Sequence, residues 1–197
     1  MTVPESLNGL VLAGGKSRRM GSDKAALRAG GETQLERAVN LLQRHVKDVF
    51  VSTAADQSDD PLRRDFEQIV DRYDDMGPVA GILSALDTSP TQSWLVLACD
   101  LPNIDDGTIE FLIENASLDS PFTAYRSVND GLPEPLCAIY RPESRPHIDR
   151  FIADGMVCPR KMLINSPTRL LDQPNPGALH NINTPEDLDG TGIDLAS

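Results

Sequence analysis

Aromatic residues are scarce in this chain: one Trp, three Tyr and five Phe among 197 residues leave aliphatic side chains to carry most of the packing. Cysteine is scarcer still. Cys99, Cys137 and Cys158 are far apart and none belongs to a CxxC pair, which excludes a disulfide scaffold and a cysteine zinc site and suits buried thiols in a reducing compartment. The three histidines, His45, His147 and His180, have no metal-ligand spacing. Positive charge is in deficit, with 18 Lys and Arg against 30 Asp and Glu and a net charge of −12. Such a balance argues against broad binding to nucleic acid or to an anionic membrane. Long apolar runs are missing too. The run at Leu10–Ala13 is too short for a signal core or a membrane span, so the expectation is a cytoplasmic protein. With no internal repeat and no linker-like tract, residues 1–197 are expected to form a single domain.

What basic charge there is gathers in one place. Residues 16–28 hold Lys16, Arg18, Arg19, Lys24 and Arg28 against the single acid Asp23. A small basic island on an acidic protein fits a compact anionic ligand better than a polymer, although charge alone would equally suit a solvated loop.

Strand and helix patterns alternate around it. Leu10–Ala13, Asp48–Ser52, Ile69–Val70 and the continuously apolar Trp94–Cys99 read as strands; Phe122–Tyr125 and Pro135–Tyr140 follow. Helical patterns are expected over Gln34–Val46, Pro61–Gln68, Gly81–Leu86, Pro146–Asp154 and, capped by Asp106, to about Asn115. Residues 156–180 read as loop-rich, and Thr184-Pro185 as a helix start. The alternation predicts an α/β fold with a mostly parallel, doubly wound Rossmann-like sheet and helices on both faces. In such sheets ligands bind beyond the carboxyl ends of the strands, which directs attention to Gly14-Gly15, Ser52-Thr53, Asp71 and Asp100.

The stretch Leu12-Ala13-Gly14-Gly15-Lys16-Ser17-Arg18-Arg19-Met20-Gly21-Ser22-Asp23-Lys24 carries the most chemistry. Tandem glycines after a strand let main-chain N–H groups approach phosphate oxygens, and arginine and lysine neutralise phosphate charge. Two familiar phosphate loops are excluded. The glycine that a Walker A motif needs five residues before Gly15 is Leu10, and GxGxxG is absent.

The stretch resembles the LAGG-x-S-x-RMG-x-DK signature of the molybdenum cofactor guanylyltransferase (MobA) family, within the GlmU-type nucleotidyltransferases. Four later segments resemble that family in the same order: Asp71 with Gly77-Pro78-Val79-Ala80-Gly81-Ile82, Leu97-Ala98-Cys99-Asp100-Leu101-Pro102, Glu134–Tyr140, and Asn181-Ile182-Asn183-Thr184-Pro185-Glu186-Asp187-Leu188. The resemblance implies transfer of GMP from GTP to the phosphate of molybdopterin, with Mg²⁺ as cofactor and pyrophosphate as the leaving group. Under it, Leu12, Ala13, Gly14 and Gly15 cradle the nucleotide, and Lys24 and Arg19 meet the triphosphate. Asp71, Gly77 and Gly81 contact guanine, and Asp100 holds the metal. Asn181 and Asn183 complete the metal and acceptor site, and Arg160 and Lys161 are candidate acceptor contacts. Taken alone, Asp71 reads equally well as a turn residue, and an aspartate before Leu-Pro, as Asp100 is, more often begins a turn. One position departs from the pattern: where the family often has an asparagine after the second strand, this chain has Ser52-Thr53.

The acceptor implied is a phosphate monoester, mostly a dianion at neutral pH because its second pKa is about 6. It needs no general base, so positioning and charge neutralisation are the expected means of catalysis. Molybdoenzymes or cofactor-assembly proteins are the expected partners; the rival readings are a cytidylyltransferase on the same cofactor, a sugar-phosphate nucleotidyltransferase, and a non-catalytic GTP-binding cofactor-assembly module.

Overall fold

The computed structural model describes residues 7–14, 23–181 and 193–194. Among these, seven strands form one sheet: β1 (Leu7–Leu12), β4 (Val49–Thr53), β5 (Gln68–Val70), β6 (Ser93–Ala98), β7 (Phe122–Arg126), β8 (Pro133–Tyr140) and β9 (Thr168–Leu171). Their order is β5-β4-β1-β6-β8-β7-β9, and β8 alone runs against the others. A small second sheet joins β2 (Arg28–Ala29) to β3 (Glu32–Thr33) and β10 (Ile193–Asp194). The helices are α1 (Gln34–Gln43), α2 (Pro78–Thr88), α3 (Asp106–Glu114), α4 (Ser144–Ala153) and α5 (Pro159–Ile164). No helix among the described residues is long and apolar enough to cross a membrane.

The alternation of strand side chains builds two cores. On β6, Leu95 and Leu97 join α1 and α3 residues on one face, while Trp94 and Val96 join α2, α4 and α5 residues on the other. Val11 and Leu10 divide in the same way on β1. A strand buried on both faces reads as continuously apolar, as β6 does from Trp94 to Ala98. The doubly wound, mostly parallel α/β sheet expected from the sequence is therefore present, with β8 as the antiparallel exception.

Several local expectations are corrected. Pro61–Gln68 is not a helix: successive turns, with Asp60 O accepting from Arg63 and Arg64 N–H, lead straight into β5. The cap of α3 is Asp105, whose carboxylate accepts from Thr108 N–H at 2.7 Å; Asp106 begins the helix. Residues 156–180 are more regular than expected, holding α5 and β9. The helix start at Thr184-Pro185 lies outside the described residues.

Candidate active site

Chain order and sheet order reverse around β1. The route from β1 through α1 reaches β4 on one side, and the route from β5 through α2 reaches β6 on the other. A crevice opens where neighbouring connections diverge in this way, at the carboxyl ends of the strands. The chain emerging from β1 and the chain emerging from β6 meet there. Cys99 N–H bonds the Leu12 carbonyl at 3.4 Å, and Lys24 Nζ donates to Asp100 Oδ2 at 3.0 Å. Both side chains are mostly buried. Lys24 opens a short 3₁₀ turn (Lys24–Ala26) that Asp23 caps through Ala25 N–H at 3.0 Å. The other oxygen of Asp100, Oδ1, is buried and has no hydrogen-bond partner among the described residues. Beside it, burial pushes the Cys99 thiol up to about 12, with the Asp100 and Asp23 carboxylates adding to the effect, so this sulfur stays protonated and serves packing.

The second part of the crevice lies between β1, β4 and α2. Gly14 is exposed just past β1, and a Cβ there would stand 3.3 Å from Ala54 N and 3.5 Å from Asp71 Oδ2. Its bare backbone is thus the wall that Asp71 faces. Asp71 is positioned by Ser52, whose hydroxyl donates to Oδ1 at 2.8 Å, and by its own N–H on the Thr53 carbonyl at 2.9 Å. Burial raises the Asp71 carboxyl above its ordinary range, and the Ser52 bond only partly offsets this. Ser52, at the position that departs from the family pattern, therefore orients a carboxylate. Gly77 enters α2 with φ of +55°, a left-handed conformation that glycine adopts without penalty, and Pro78 follows as the first helical residue. Gly81 lets α2 lie directly on the sheet: a Cβ there would overlap the Ser52 hydroxyl and stand 3.0 Å from Leu12 Cδ2.

A third region is a cleft of about 170 Å³ lined by Leu101, Glu134, Pro135, Leu136, Cys137, Arg160, Leu179 and Asn181. Asn181 is exposed at its rim. Arg160 is held by Asp130 at 3.0 Å and Glu134 at 2.8 Å, so its guanidinium is fixed in direction and its charge already balanced. Lys161 lies next to it on α5. Of the residues singled out in the sequence, Leu12, Ala13, Gly14, Asp71 and Asp100 lie at or just past strand ends, Lys24 pairs with Asp100, Gly77 and Gly81 lie at the start of α2, and Asn181 lines the cleft beside Leu101. Gly15, Arg19 and Asn183 lie outside the described residues.

One residue escaped sequence reasoning altogether. Arg63 is fully buried, and its Nε and Nη2 donate to the Ala13 carbonyl at 3.1 and 2.8 Å. Nη2 also donates to Asp23 Oδ2 at 2.5 Å. Nothing in the local pattern distinguishes Arg63 from exposed Arg64 next to it.

A doubly wound sheet with an open glycine after the first strand, and a lysine paired with an aspartate across the switch point, is the arrangement of an α/β protein suited to a phosphorylated ligand. The chain belongs to the family of the MobA-like NTP transferase domain, whose profile matches residues 9–170. It is 33% identical over 187 residues to the "Probable molybdenum cofactor guanylyltransferase" of Trichormus variabilis, covering 93% of this chain and 89% of that protein. It is 38% identical over 181 residues to the "Molybdenum cofactor biosynthesis bifunctional protein" of Synechocystis; the match takes in 92% of this chain but only 52% of that longer protein. Among solved structures, the molybdopterin-guanine dinucleotide biosynthesis protein A of Archaeoglobus fulgidus superposes with a TM-score of 0.78 at 23% identity, covering 94% of this chain and 96% of that one. A CMP:2-keto-3-deoxy-manno-octonic acid synthetase gives 0.71 at 14% identity, covering 93% and 95%. At those identities the two structures speak for the fold alone.

Proposed function

We propose that this protein transfers the GMP moiety of GTP to the phosphate of molybdopterin, giving molybdopterin guanine dinucleotide and pyrophosphate. The observation that carries the chemistry is the Lys24–Asp100 pair at the switch point, with Asp100 Oδ1 buried and unpartnered among the described residues. The base and the acceptor follow from membership of a family whose relatives bear guanylyltransferase names. In this reading Gly14 offers an open main chain to the nucleotide, Lys24 neutralises phosphate charge, and Asp71 accepts hydrogen bonds from the guanine edge. Arg19, Gly15 and Asn183 complete the set of contacts. The acceptor lies toward the cleft of Arg160 and Asn181, with Lys161 next to Arg160 on α5.

Mg²⁺ is the cofactor of this reading, and the donor set fits it. No cluster of three or more His, Cys, Asp or Glu suited to a metal occurs among the described residues, yet magnesium is commonly held by one or two carboxylates together with substrate phosphates. The orphaned Oδ1 of Asp100 is such a carboxylate oxygen, while Oδ2 remains tied to Lys24. Bound there, the ion would supply charge stabilisation for the phosphoryl oxygens. Lys24 holds Asp100 in one orientation, and Gly14 keeps the approach to the phosphates free of side chains. Free Cys99, Cys137 and Cys158 support a cytoplasmic setting, and the product would pass to molybdoenzymes or their assembly proteins.

The test is a competition: protein, Mg²⁺ and molybdopterin with equal GTP, CTP and ATP, products identified by mass. A GMP adduct with pyrophosphate release is expected. A CMP adduct would overturn the base assignment, and nucleotide binding without any adduct would favour a binding module.

A further inference from the structure

We infer that Arg63 is a positioning residue of the nucleotide site: its buried guanidinium ties the end of β1 to Asp23 and thereby sets Lys24 opposite Asp100. The inference rests on the nucleotidyltransferase reading above and extends it to a residue outside the family's motifs.

Burying a guanidinium is costly unless its donors are paired, so a fully buried arginine implies a specific set of acceptors. Here they belong to the two ends of one segment. Nε and Nη2 grip the carbonyl of Ala13, the residue before Gly14, and Nη2 reaches Asp23 Oδ2. Nη1 lies 3.5 Å from Asp60 Oδ2 and makes no hydrogen bond. The Asp23 carboxylate is shared: while Oδ2 takes Arg63, Oδ1 caps the turn that begins at Lys24. The Lys24 ammonium then meets Asp100. Arg63 is itself anchored from behind. Its carbonyl accepts from Gln68 Nε2 at 3.0 Å, and Gln68 Oε1 accepts from the Thr53 hydroxyl at 3.0 Å, linking the turn to β4. One side chain therefore fixes the exit of β1, where the open backbone of Gly14 begins, and the entry to Lys24. A lysine at 63 is no equivalent, because a single ammonium lacks the planar fork that spans a carbonyl and a carboxylate together.

The test uses the full chain in the R63K, R63M, D23N and R63M/D23N forms, with R64M as the control at an exposed neighbour. Melting temperature, kcat and KM for GTP are measured with Mg²⁺ and molybdopterin, well below the lowest melting point. The expected result is a fall in kcat/KM of about tenfold or more for R63K and D23N, with R64M unchanged. The double variant should be little worse than the worse single one, because both changes break the same contact. Overturning results are an R63K enzyme within about twofold of wild type in kcat and KM, or losses from R63M and D23N that simply multiply. Loss of melting temperature without any change in kcat or KM would also overturn the inference, since it assigns Arg63 to the fold alone. Should R63M fail to fold, R63K and D23N decide the matter by themselves. The wild type separates this inference from the function it rests on. If it releases pyrophosphate from CTP rather than GTP, the guanylyl reading fails, and the same variants are compared with CTP.

Discussion

Lys24 Nζ and Asp100 Oδ2 stand 3.0 Å apart although 76 residues separate them in sequence. The contact brings a lysine of the basic stretch to the end of β6, and Asp100 Oδ1 has no hydrogen-bond partner among the described residues. Asp100→Ala should therefore lower kcat by about 100-fold or more, as removal of one preorganised charge-stabilising group does. Its melting temperature should stay near wild type, because the pair is mostly buried but lies at the crevice rather than in either core. Steady-state turnover across a Mg²⁺ titration checks this. A variant with near-normal kcat and an unchanged metal requirement would remove Asp100 from the metal role.

Asp71 should trade stability for binding. Burial raises its carboxyl pKa above the ordinary value, with the Ser52 hydroxyl pulling the other way. A carboxylate whose folded-state value is raised destabilises the fold above that value, and the penalty vanishes as pH falls through it. Asp71→Asn keeps an acceptor for Ser52 and removes the buried charge. It should melt no lower than wild type at pH 7, with any advantage shrinking toward pH 4. Its affinity for GTP should fall about tenfold or more, the cost of losing a hydrogen bond to a charged group. Thermal melts at the two pH values and a nucleotide titration check both halves. A lower melting point at pH 7 with unchanged GTP affinity would make Asp71 a structural residue.

Legibility in the sequence followed periodicity. Trp94 to Ala98 announced β6 because a strand covered on both faces is apolar at every position, and α1 showed its period from Leu35 to Leu42. The clustering of Gly14, Asp71 and Asp100 followed from the rule that strand ends face the ligand. The turns from Pro61 to Phe66 fall where a short helix is expected; Leu62 and Phe66 are four residues apart, a spacing that one turn of helix and a string of tight turns share. Arg63 was hidden for the same reason: its partners are a carbonyl fifty residues away and a carboxylate forty residues away. The cap of α3 was misplaced by one because Asp105 and Asp106 are both competent caps. Tertiary structure chooses between them by giving Asp106 to Arg44 and His45. In residues 156–180, α5 has six residues and β9 four, too short for either period to register.

Gly81 is where α2 meets the sheet. A Cβ there would overlap the Ser52 hydroxyl and approach Ser52 Cβ to 2.9 Å. Gly81→Ala should destabilise the protein by about 1–3 kcal/mol, the usual cost of overpacking a close contact. It should also weaken GTP binding, because Ser52 can yield only by releasing Asp71. Urea denaturation and a nucleotide titration read the two effects. A variant with wild-type stability would show that α2 can lift off the sheet freely.

A different acid governs behaviour at low pH. Asp106 takes Arg44 Nε at 2.8 Å and Nη2 at 3.0 Å, and His45 Nε2 at 2.8 Å, which ties the end of α1 to the start of α3. The Arg44 guanidinium holds its carboxyl down to about 2 against the opposing cost of burial, with His45 assisting. A depressed carboxylate contributes stability that is complete above its unfolded value and is lost as pH falls through the folded one. The contribution of Asp106 should therefore persist at pH 5 and disappear between about pH 4 and pH 2. Its size should stay below about 1 kcal/mol, because half of the side chain is exposed and solvent screens the pair. Denaturation of wild type and Asp106→Asn at pH 6, 5, 4 and 3 measures this directly. The gap between them should hold from pH 6 to 5 and close toward pH 3, and a gap that stayed constant to pH 3 would mean that the Arg44 pair plays no part in it.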